Sequence, residues 1–201
     1  MVLKVLGIGS SPRKDGNSDI LLQHFLETVA SNVIDVEEIQ LRDYQFQSCI
    51  GCERCRKDRQ CTGLNDDMQY IYPKILEAGG LILVSPVHNY NITALMKAFI
   101  DRLYCFYEFH GERPGQWSSR LSGQGRKAIV AAIGEQFGVQ EGMHLTLEAM
   151  RLPLAALGYE VIGTFPITGI YTKGMLAQHH SLLDISQVLA KLLSDSLKGN
   201  V

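Results

Sequence analysis

The stretch GLILVSPVHNYNITALMKAFIDRLYCF, residues 80–106, contains the clearest strand and the clearest helix of the chain. Residues 80–87 form a short apolar run rich in Ile, Leu and Val, as is typical of a strand buried on both faces. The following residues, 92–106, place apolar side chains at helical spacing, namely Leu95, Met96, Phe99, Ile100 and Leu103. A buried strand followed by an amphipathic helix predicts an α/β fold with a parallel sheet.

The same alternation of strand and helix continues in both directions from this stretch. The patterns predict further strands over 2–9, 35–41, 127–134 and 160–170, and further helices over 18–31, 68–78, 140–157 and about 173–197. The polar, Gly-bearing stretch 107–126 is predicted to be a long loop. We therefore predict one domain over residues 1–201, with a five-stranded parallel sheet and helices on both faces. Its functional loops should lie at the carboxyl ends of the strands, near a switch point.

The composition excludes several classes of function. The chain has 201 residues, 46% of them apolar and 20% charged, and a formal net charge of −2, which suits one globular domain. There is no basic block of the kind that binds nucleic acid, and no run approaches the roughly 20 apolar residues of a membrane span. The first residues are typical of a core strand rather than a signal peptide. We therefore predict a cytoplasmic protein whose cysteines are reduced, catalytic or metal-bound.

The loop after the first strand, GSSPRKDGNSDIL (residues 9–21), concentrates polar groups where a helix begins. Its candidate phosphate ligands are Ser10, Ser11, Arg13, Asn17 and Ser18. Hydroxyls, a guanidinium and the N-terminus of a helix together predict a cradle for a phosphate dianion. The loop has neither the Gly-Lys-Ser/Thr of a Walker A motif nor the third glycine of a dinucleotide fingerprint. A capped turn, in which the Ser and Asn side chains satisfy backbone N–H groups, is the alternative.

The segment SCIGCERCRKDRQC, residues 48–61, holds four of the five cysteines. Cys49, Cys52, Cys55 and Cys61 are separated by two, two and five residues. Thiolates at successive three-residue steps allow a short loop to wrap around a compact multi-metal group, as bacterial ferredoxins do around three corners of a [4Fe–4S] cube. Structural zinc usually takes two Cys-x2-Cys knuckles from separate hairpins, and a redox dithiol would leave two cysteines unexplained. The spacing favours [4Fe–4S], with zinc and unmetallated thiols as the alternatives.

Two motifs, GSSPRKDGNSDIL and SPVHNYNITALMKAFIDRL (residues 85–103), resemble the two signatures of flavodoxin-like NAD(P)H-dependent FMN reductases. The resemblance implies a flavodoxin-like fold with FMN, its phosphate held by the first loop. It also implies a flavin ring bordered by the second loop, through Pro86, Val87, His88, Asn89 and Tyr90. A third loop, residues 133–142, stands where this family has a Gly-rich loop. Through Gly134 it would touch the far edge of the ring or a neighbouring subunit, and Gly138 matches the same glycine pattern.

The cysteine segment, an insertion at about 47–64, resembles that of the iron–sulfur flavoproteins. Members of that family carry FMN and a [4Fe–4S] cluster, and pass electrons from ferredoxin through the cluster to the flavin. The resemblance makes Cys49, Cys52, Cys55 and Cys61 the cluster ligands. A similar CxxCxxC…C…DDM segment also occurs in flavodoxin-like reductases described without a cluster. Basic side chains lie between or beside the cysteines and could offset thiolate charge or dock an acidic ferredoxin, the alternative being a solvated loop; they are Arg54, Arg56, Lys57 and Arg59.

The resemblance implies an FMN-dependent oxidoreductase that passes electrons through a [4Fe–4S] cluster and FMN to a small acceptor. The flavin carries the chemistry, so no catalytic side chain is required. NAD(P)H, if it is the donor, would stack transiently on the flavin. A homodimer or homotetramer is expected. The alternatives are a cluster-free NAD(P)H-dependent FMN or quinone reductase and, more distant, a non-enzymatic flavin- or zinc-binding regulatory module.

Three remaining features are predicted to be structural. Asp66 and Asp67 precede a helix and are expected to cap it. Cys105 is expected to be an ordinary packed thiol at the end of an apolar helix. His179 and His180 are expected to lie on the surface or to cap the last helix near its start, rather than to bind a metal.

Overall fold

The computed structural model describes residues 3–137 and 141–199. The strands of its main sheet are β1 (Leu3–Gly9), β2 (Ile34–Gln40), β3 (Gly80–Pro86), β6 (Lys127–Ile133) and β7 (Glu160–Ile167). All five are parallel, and they lie in the order β2-β1-β3-β6-β7. The predicted five-stranded parallel sheet is therefore confirmed. Because the chain goes from β1 to β2 on one side and then to β3 on the other, the switch point lies between β1 and β3.

Helices cover both faces of the sheet, as predicted. They are α1 (Asn17–Val29), the short α2 (Cys55–Asp58), α3 (Met68–Glu77), α4 (Ala94–Arg102), α5 (Glu141–Ala156) and α6 (His180–Lys198). Apolar residues of α1 and α6 share one hydrophobic core, and those of α3, α4 and α5 share the other. β3 separates the two cores, because Leu81 and Leu83 belong to one and Ile82 and Val84 to the other.

The prediction of a long loop over residues 107–126 is wrong. This region contains an antiparallel hairpin of β4 (Tyr107–His110) and β5 (Gln116–Ser119). Phe109 lies opposite Trp117, and the Tyr107 and Trp117 rings meet edge to face at 5.2 Å. Cross-strand aromatic pairs of this kind stabilise a hairpin. Its four-residue strands are too short for an alternating pattern to stand out between charged and glycine residues.

Several element boundaries differ from the predicted ones for local reasons. The helix predicted to begin at about residue 173 is divided, because Gly174 has a left-handed φ of 79°. A 3-10 turn (Met175–Gln178) follows it, and α6 begins only at His180. The helix predicted over 92–106 begins at Ala94, where the Thr93 hydroxyl accepts a hydrogen bond from the backbone of Met96, and after Arg102 it becomes a 3-10 turn.

Some predictions reach beyond what the structure describes. Gly138, and with it the centre of the predicted third loop, lies outside the described residues. None of the helices within 3–137 and 141–199 is long and apolar enough to cross a membrane. The cytoplasmic location and the extent of one domain over residues 1–201 stay predictions.

Candidate functional site

Hydrogen bonds made by Ser10 and Ser11 hold the loop between β1 and α1 in place. Ser10 is fully buried, and both its backbone N–H and its hydroxyl donate to the carbonyl of Val84, at 3.1 and 3.4 Å. The Ser11 hydroxyl accepts from the backbone N–H of Arg13 at 3.2 Å. Ser10 therefore attaches the loop to β3 at the switch point, and its hydroxyl is already engaged within the protein.

An ion pair that the sequence reasoning missed contacts the backbone of this loop. Arg42, just after β2, donates to both carboxylate oxygens of Asp19 on α1, at 2.9 and 2.8 Å. The same guanidinium donates to the carbonyls of Ser11 and Arg13, at 3.1 and 3.3 Å. The side chains of Arg42 and Asp19 are only 13% and 5% exposed. Asp19 also accepts from the backbone N–H of Asp15 at 2.8 Å, so both charged side chains contact the loop backbone.

Asn17 connects the loop to the segment that follows β7. Its amide donates to the carbonyl of Thr172 at 2.9 Å and its oxygen accepts from the backbone of Leu176 at 3.0 Å. Asn17 was predicted to bind phosphate. In the structure its side chain is occupied by these two bonds, so what it can offer a ligand is its backbone at the start of α1.

The two predicted flavin loops meet around one cavity. A space of about 230 Å³ is lined by residues from the first loop and from the loop after β3. The predicted site residues among them are Ser11, Arg13, Asn17, Ser18, Pro86, Val87 and His88. Gly16, Asn17 and Ser18 bring the start of α1 to this cavity, and the first N–H groups of a helix lack carbonyl partners within it. An anionic phosphate fits such a position, and the exposed Arg13 adds positive charge.

A second cavity of about 300 Å³ lies next to the first and shares Val87 and Glu135 with it. Asn89, Tyr90 and Gly134, the other predicted ring neighbours, line this second space. All the predicted flavin residues except Ser10 therefore line one cavity or the other. Two adjacent cavities, with a phosphate cradle at one end, fit an elongated ligand such as FMN.

The loop after β3 makes a tight turn beside the second cavity. His88 and Asn91 exchange two backbone hydrogen bonds at 2.8 and 3.0 Å. Asn89 and Tyr90 at its centre have positive φ of 45° and 68°, values uncommon for residues other than glycine. A Cβ on Gly142 would lie 2.9 Å from the Cα of Tyr90, so only glycine fits there. The start of α5 therefore packs against this turn.

The four clustered cysteines line a separate cavity of about 430 Å³. Cys49 and Cys52 are exposed, whereas Cys55 and Cys61 are partly buried against the core. Burial raises the pKa of the Cys55 thiol, and the neighbouring thiols of Cys61, Cys49 and Cys52 raise it further. The structure thus brings together the four cysteines that the sequence singled out. Cys105, the predicted packed thiol, is buried and lines the same cavity.

The thiols surround this space rather than converging on one point. Among residues 3–137 and 141–199, no three His, Cys, Asp or Glu side chains are placed to hold a single metal ion. The loop is nevertheless tightly wound, because a Cβ on Gly63 would lie 2.3 Å from the Cys52 sulfur. Four thiols around a cavity are the donor set that a [4Fe–4S] cluster takes, and they differ from a closed tetrahedral zinc site.

The hairpin β4–β5 braces the cysteine segment. Arg56 lies 3.7 Å from the ring centroid of Phe109 and donates to the Tyr104 hydroxyl at 3.2 Å. Arg59 forms an ion pair with Glu108 at 3.4 Å. Two of the four bases considered for charge compensation or docking therefore contact the hairpin, and three of the four, Arg54, Lys57 and Arg59, are exposed.

The two carboxylates expected to cap α3 do more than that. Asp66 accepts from the backbone of Met68 at 3.2 Å, as a cap does, but it also pairs with Arg102. Asp67 makes no side-chain cap bond, and instead accepts from the backbone of Gln45 at 2.6 Å. Asp66 also accepts from the backbone of Gln47 at 3.1 Å, so both carboxylates attach the chain before the cysteines to the start of α3. His180 is exposed, as predicted, and His179 makes no side-chain cap bond.

Comparisons with known proteins agree with this geometry. The sequence model of the family described as NADPH-dependent FMN reductase matches residues 3–171. An iron-sulfur flavoprotein from Archaeoglobus fulgidus is 32% identical over 164 residues, which cover 80% of this chain and 70% of that protein. Another from Methanocaldococcus jannaschii is 39% identical over 100 residues, or 50% of this chain and 51% of that protein. In that second match the chain spans only about half the length of the relative.

Solved structures share the fold. The crystal structure of an FMN-dependent NADH-azoreductase from Bacillus anthracis in complex with FMN has a TM-score of 0.67 and 19% identity, covering 96% of this chain and all of that one (100%). RosB with a bound 8-demethyl-8-formylriboflavin-5′-phosphate intermediate has a TM-score of 0.73 and 15% identity, covering 98% of this chain and 79% of that one. At such identities the likeness concerns the fold alone, which is the flavodoxin-like architecture predicted from the sequence.

Proposed function

This chain belongs to the NADPH-dependent FMN reductase family, and on that premise we propose that it is an iron–sulfur flavoprotein. In this proposal it passes electrons through a [4Fe–4S] cluster and FMN to a small acceptor. One observation carries the proposal: four cysteine thiols line one cavity of a chain whose flavin loops close another. The matched iron-sulfur flavoproteins support it through their names.

FMN supplies hydride and single-electron transfer when it is bound. Ser11, Arg13 and the backbone at the start of α1 would hold its phosphate, because they line the cavity where the helix begins. Pro86, Val87 and the turn after them would border the ring and limit the access of water to it. Because the flavin would carry the chemistry, the proposal assigns no acid or base role to a side chain of the protein.

A [4Fe–4S] cluster supplies one-electron transfer when it is bound. Cys49, Cys52, Cys55 and Cys61 would ligate it. The exposed Arg54 and Lys57 leave positive charge beside these thiols, which suits an acidic electron donor such as a ferredoxin. NAD(P)H is the other donor class, and it would have to reach the flavin cavity directly.

The proposal includes a homodimer or homotetramer with the flavin cavity near a subunit interface. Tyr90, beside the second flavin cavity, is 66% exposed. Leu145 and Leu152 on α5 are 43% and 54% exposed. The start of α5 lines this cavity through Gly142 and Met143, and large apolar side chains exposed beside a cavity and along such a helix are typical of a surface that another subunit covers.

The route of electron entry tests the proposed function. Anaerobic protein is mixed with NADH, with NADPH or with a chemically reduced ferredoxin, and bleaching of the flavin and the cluster is followed by absorption. We expect faster reduction by ferredoxin than by either nucleotide. Steady oxidation of NADPH by protein without iron or sulfide would instead establish a cluster-free reductase. A colourless protein that keeps stoichiometric zinc and shows no turnover would establish a regulatory module.

Replacing Arg13 with alanine is expected to weaken FMN binding about tenfold, because a charge-assisted hydrogen bond to the phosphate is lost. Arg13 is exposed and lines the phosphate end of the cavity, so its loss should leave the fold unchanged. Titration of the flavin-free protein with FMN, followed by flavin fluorescence, measures the effect. Arg54→Ala is the matched control, since Arg54 is also exposed but lies outside the flavin cavities. Equal FMN affinities for both variants and the parent chain would contradict the assignment of the phosphate loop.

A further inference from the structure

Arg102, at the end of α4, is the largest fully buried side chain of the described residues, with 1% exposure. A buried guanidinium needs partners for all its N–H groups, and the identity of those partners indicates its role. Arg102 lies at the wall of the cysteine cavity. The sequence reasoning assigned it no function.

All three nitrogens of Arg102 are engaged. Nη1 donates to Asp66 at 2.6 Å and to the carbonyl of Gln47 at 2.8 Å. Nη2 donates to the other oxygen of Asp66 at 3.0 Å and to the sulfur of Cys61 at 3.4 Å. Nε donates to the Tyr72 hydroxyl at 3.2 Å. One side chain thus contacts the residue before the cysteine segment (Gln47), a carboxylate two residues before α3 (Asp66) and a cysteine of the cavity (Cys61).

The bond to Cys61 distinguishes Arg102 from an ordinary buried arginine of the same chain. Arg126 is also buried, but its nitrogens donate to the carbonyls of Ile75, Leu76 and Ala78 at the end of α3, at 2.6 to 2.7 Å. Arg126 therefore caps the last carbonyls of α3, and none of its hydrogen bonds within the described residues goes to a thiol. Arg102 instead directs a positively charged N–H group at a sulfur that faces a cavity.

Arg102 and Asp66 stabilise the charged forms of each other. Burial acts to lower the pKa of Arg102, but the hydrogen bond to Asp66 and the nearby Tyr72 and Cys61 groups raise it above its ordinary value. Asp66 balances the charge, and its own pKa is lowered because the bonds from Arg102 and from the Gln47 backbone outweigh burial. Arginine side chains keep their charge in proteins, so Arg102 presents a cation to the sulfur of Cys61.

We propose that Arg102 is a positioning residue for the iron–sulfur site, which holds the Cys61 sulfur toward the cavity and raises the reduction potential of the group bound there. This inference rests on the proposed function. Hydrogen bonds to ligand sulfurs and nearby charge are two of the terms that set the potential of such clusters. Residues that orient metal ligands from behind affect binding strongly, by 10–100-fold in affinity as an order of magnitude. Asp66 moderates the effect, because its negative charge lies on the far side of the same guanidinium.

The inference is tested by variants that should shift the midpoint potential of the bound group in opposite directions. Arg102→Gln removes the charge and is expected to lower the midpoint potential, with about a tenfold change in the oxidised-to-reduced ratio, equivalent to about 59 mV for one electron. Arg102→Lys keeps the charge but lacks the paired N–H groups of the guanidinium. Its midpoint potential should therefore fall between those of Arg102→Gln and the parent protein. Asp66→Asn leaves Arg102 less neutralised and is expected to shift the potential upward. Midpoint potentials and electron paramagnetic resonance spectra of the reduced protein are measured, with iron and sulfide per FMN.

Arg126→Lys is the matched control for loss of a buried arginine. This variant should have a lower thermal unfolding temperature than the parent protein, but the same midpoint potential and the same electron paramagnetic resonance spectrum. If Arg102→Gln does not fold, Arg102→Lys and Asp66→Asn still give shifts of opposite sign. Unchanged potentials in all the Arg102 and Asp66 variants that fold, in a protein that carries iron and sulfide, would overturn the inference. A parent protein without iron and sulfide would instead overturn the proposed function.

Discussion

Replacing Cys55 with serine is expected to remove the bound iron and sulfide while FMN stays bound. Cys55 begins α2, packs against the core and lines the cavity with the other three clustered cysteines. Iron–sulfur clusters are held by thiolates, and a serine hydroxyl is a far weaker ligand for them. The flavin cavities share no lining residue with the cysteine cavity, so FMN binding should not change. Iron, sulfide and flavin assays on anaerobically purified variants measure both outcomes.

Cys105→Ser is the matched control for this experiment. Cys105 lines the same cavity but is a buried thiol of the apolar core, and burial raises its pKa to about 12. It is therefore expected to remain protonated and uninvolved in ligation, so the variant should keep its iron and sulfide. Full iron content in Cys55→Ser, or equal losses in both variants, would contradict the assignment of the four ligands.

Replacing Arg42 with methionine is expected to lower the free energy of unfolding by about 3–5 kcal/mol, because it leaves Asp19 as an uncompensated buried charge. The carbonyls of Ser11 and Arg13 also lose a donor, so the loop should lose its shape and FMN affinity should fall. Urea unfolding of the flavin-free protein and FMN titration measure the two effects separately.

The double variant Arg42→Met with Asp19→Leu separates stability from binding. Removing both members of a buried ion pair is often nearly neutral, so much of the stability should return. FMN affinity should not return, because the loop carbonyls and the backbone of Asp15 still lack the partners they have in the parent chain. Lys4→Met, which breaks the exposed Lys4–Glu77 pair, is the control and should change little. Parent-like stability of Arg42→Met would show that the pair does not support the loop.

The parts of this fold that the sequence predicted are those with local signals. β3 is a continuous apolar run because both of its faces are covered, and α4 has a helical apolar spacing because one face meets the core. The phosphate loop was found because its polar residues lie next to one another, and the cysteine cavity because its thiols lie within 13 residues, from Cys49 to Cys61.

The parts that were missed depend on partners distant in the chain. Arg42 and Asp19 are 23 positions apart, and Arg102 and Asp66 are 36 apart. Each of these four residues alone is an ordinary charge near the end of an element. Only the packing of α1 against β2, or of α4 against the start of α3, makes it a buried partner. The hairpin β4–β5 was missed for a similar reason, because its stability comes from pairs across the turn, such as Phe109 with Trp117.

The Asn17 side chain shows how a correct location can have an unexpected role. It lies at the predicted phosphate loop and lines the cavity, as the motif indicated. Its amide is nevertheless bound to Thr172 and Leu176, residues 155 and 159 positions away. A sequence motif identifies which residues gather at a site, whereas the division between ligand contact and support depends on the whole fold.

The measurement that tests the central claim most directly is the cofactor content of the intact protein, purified without oxygen. Absorption, flavin analysis, and iron and acid-labile sulfide assays are made on the same sample. We expect a brown protein with FMN and about four iron and four sulfide ions per chain, as one [4Fe–4S] cluster requires. A yellow protein with FMN but neither iron nor sulfide would contradict the claim that the four thiols hold a cluster.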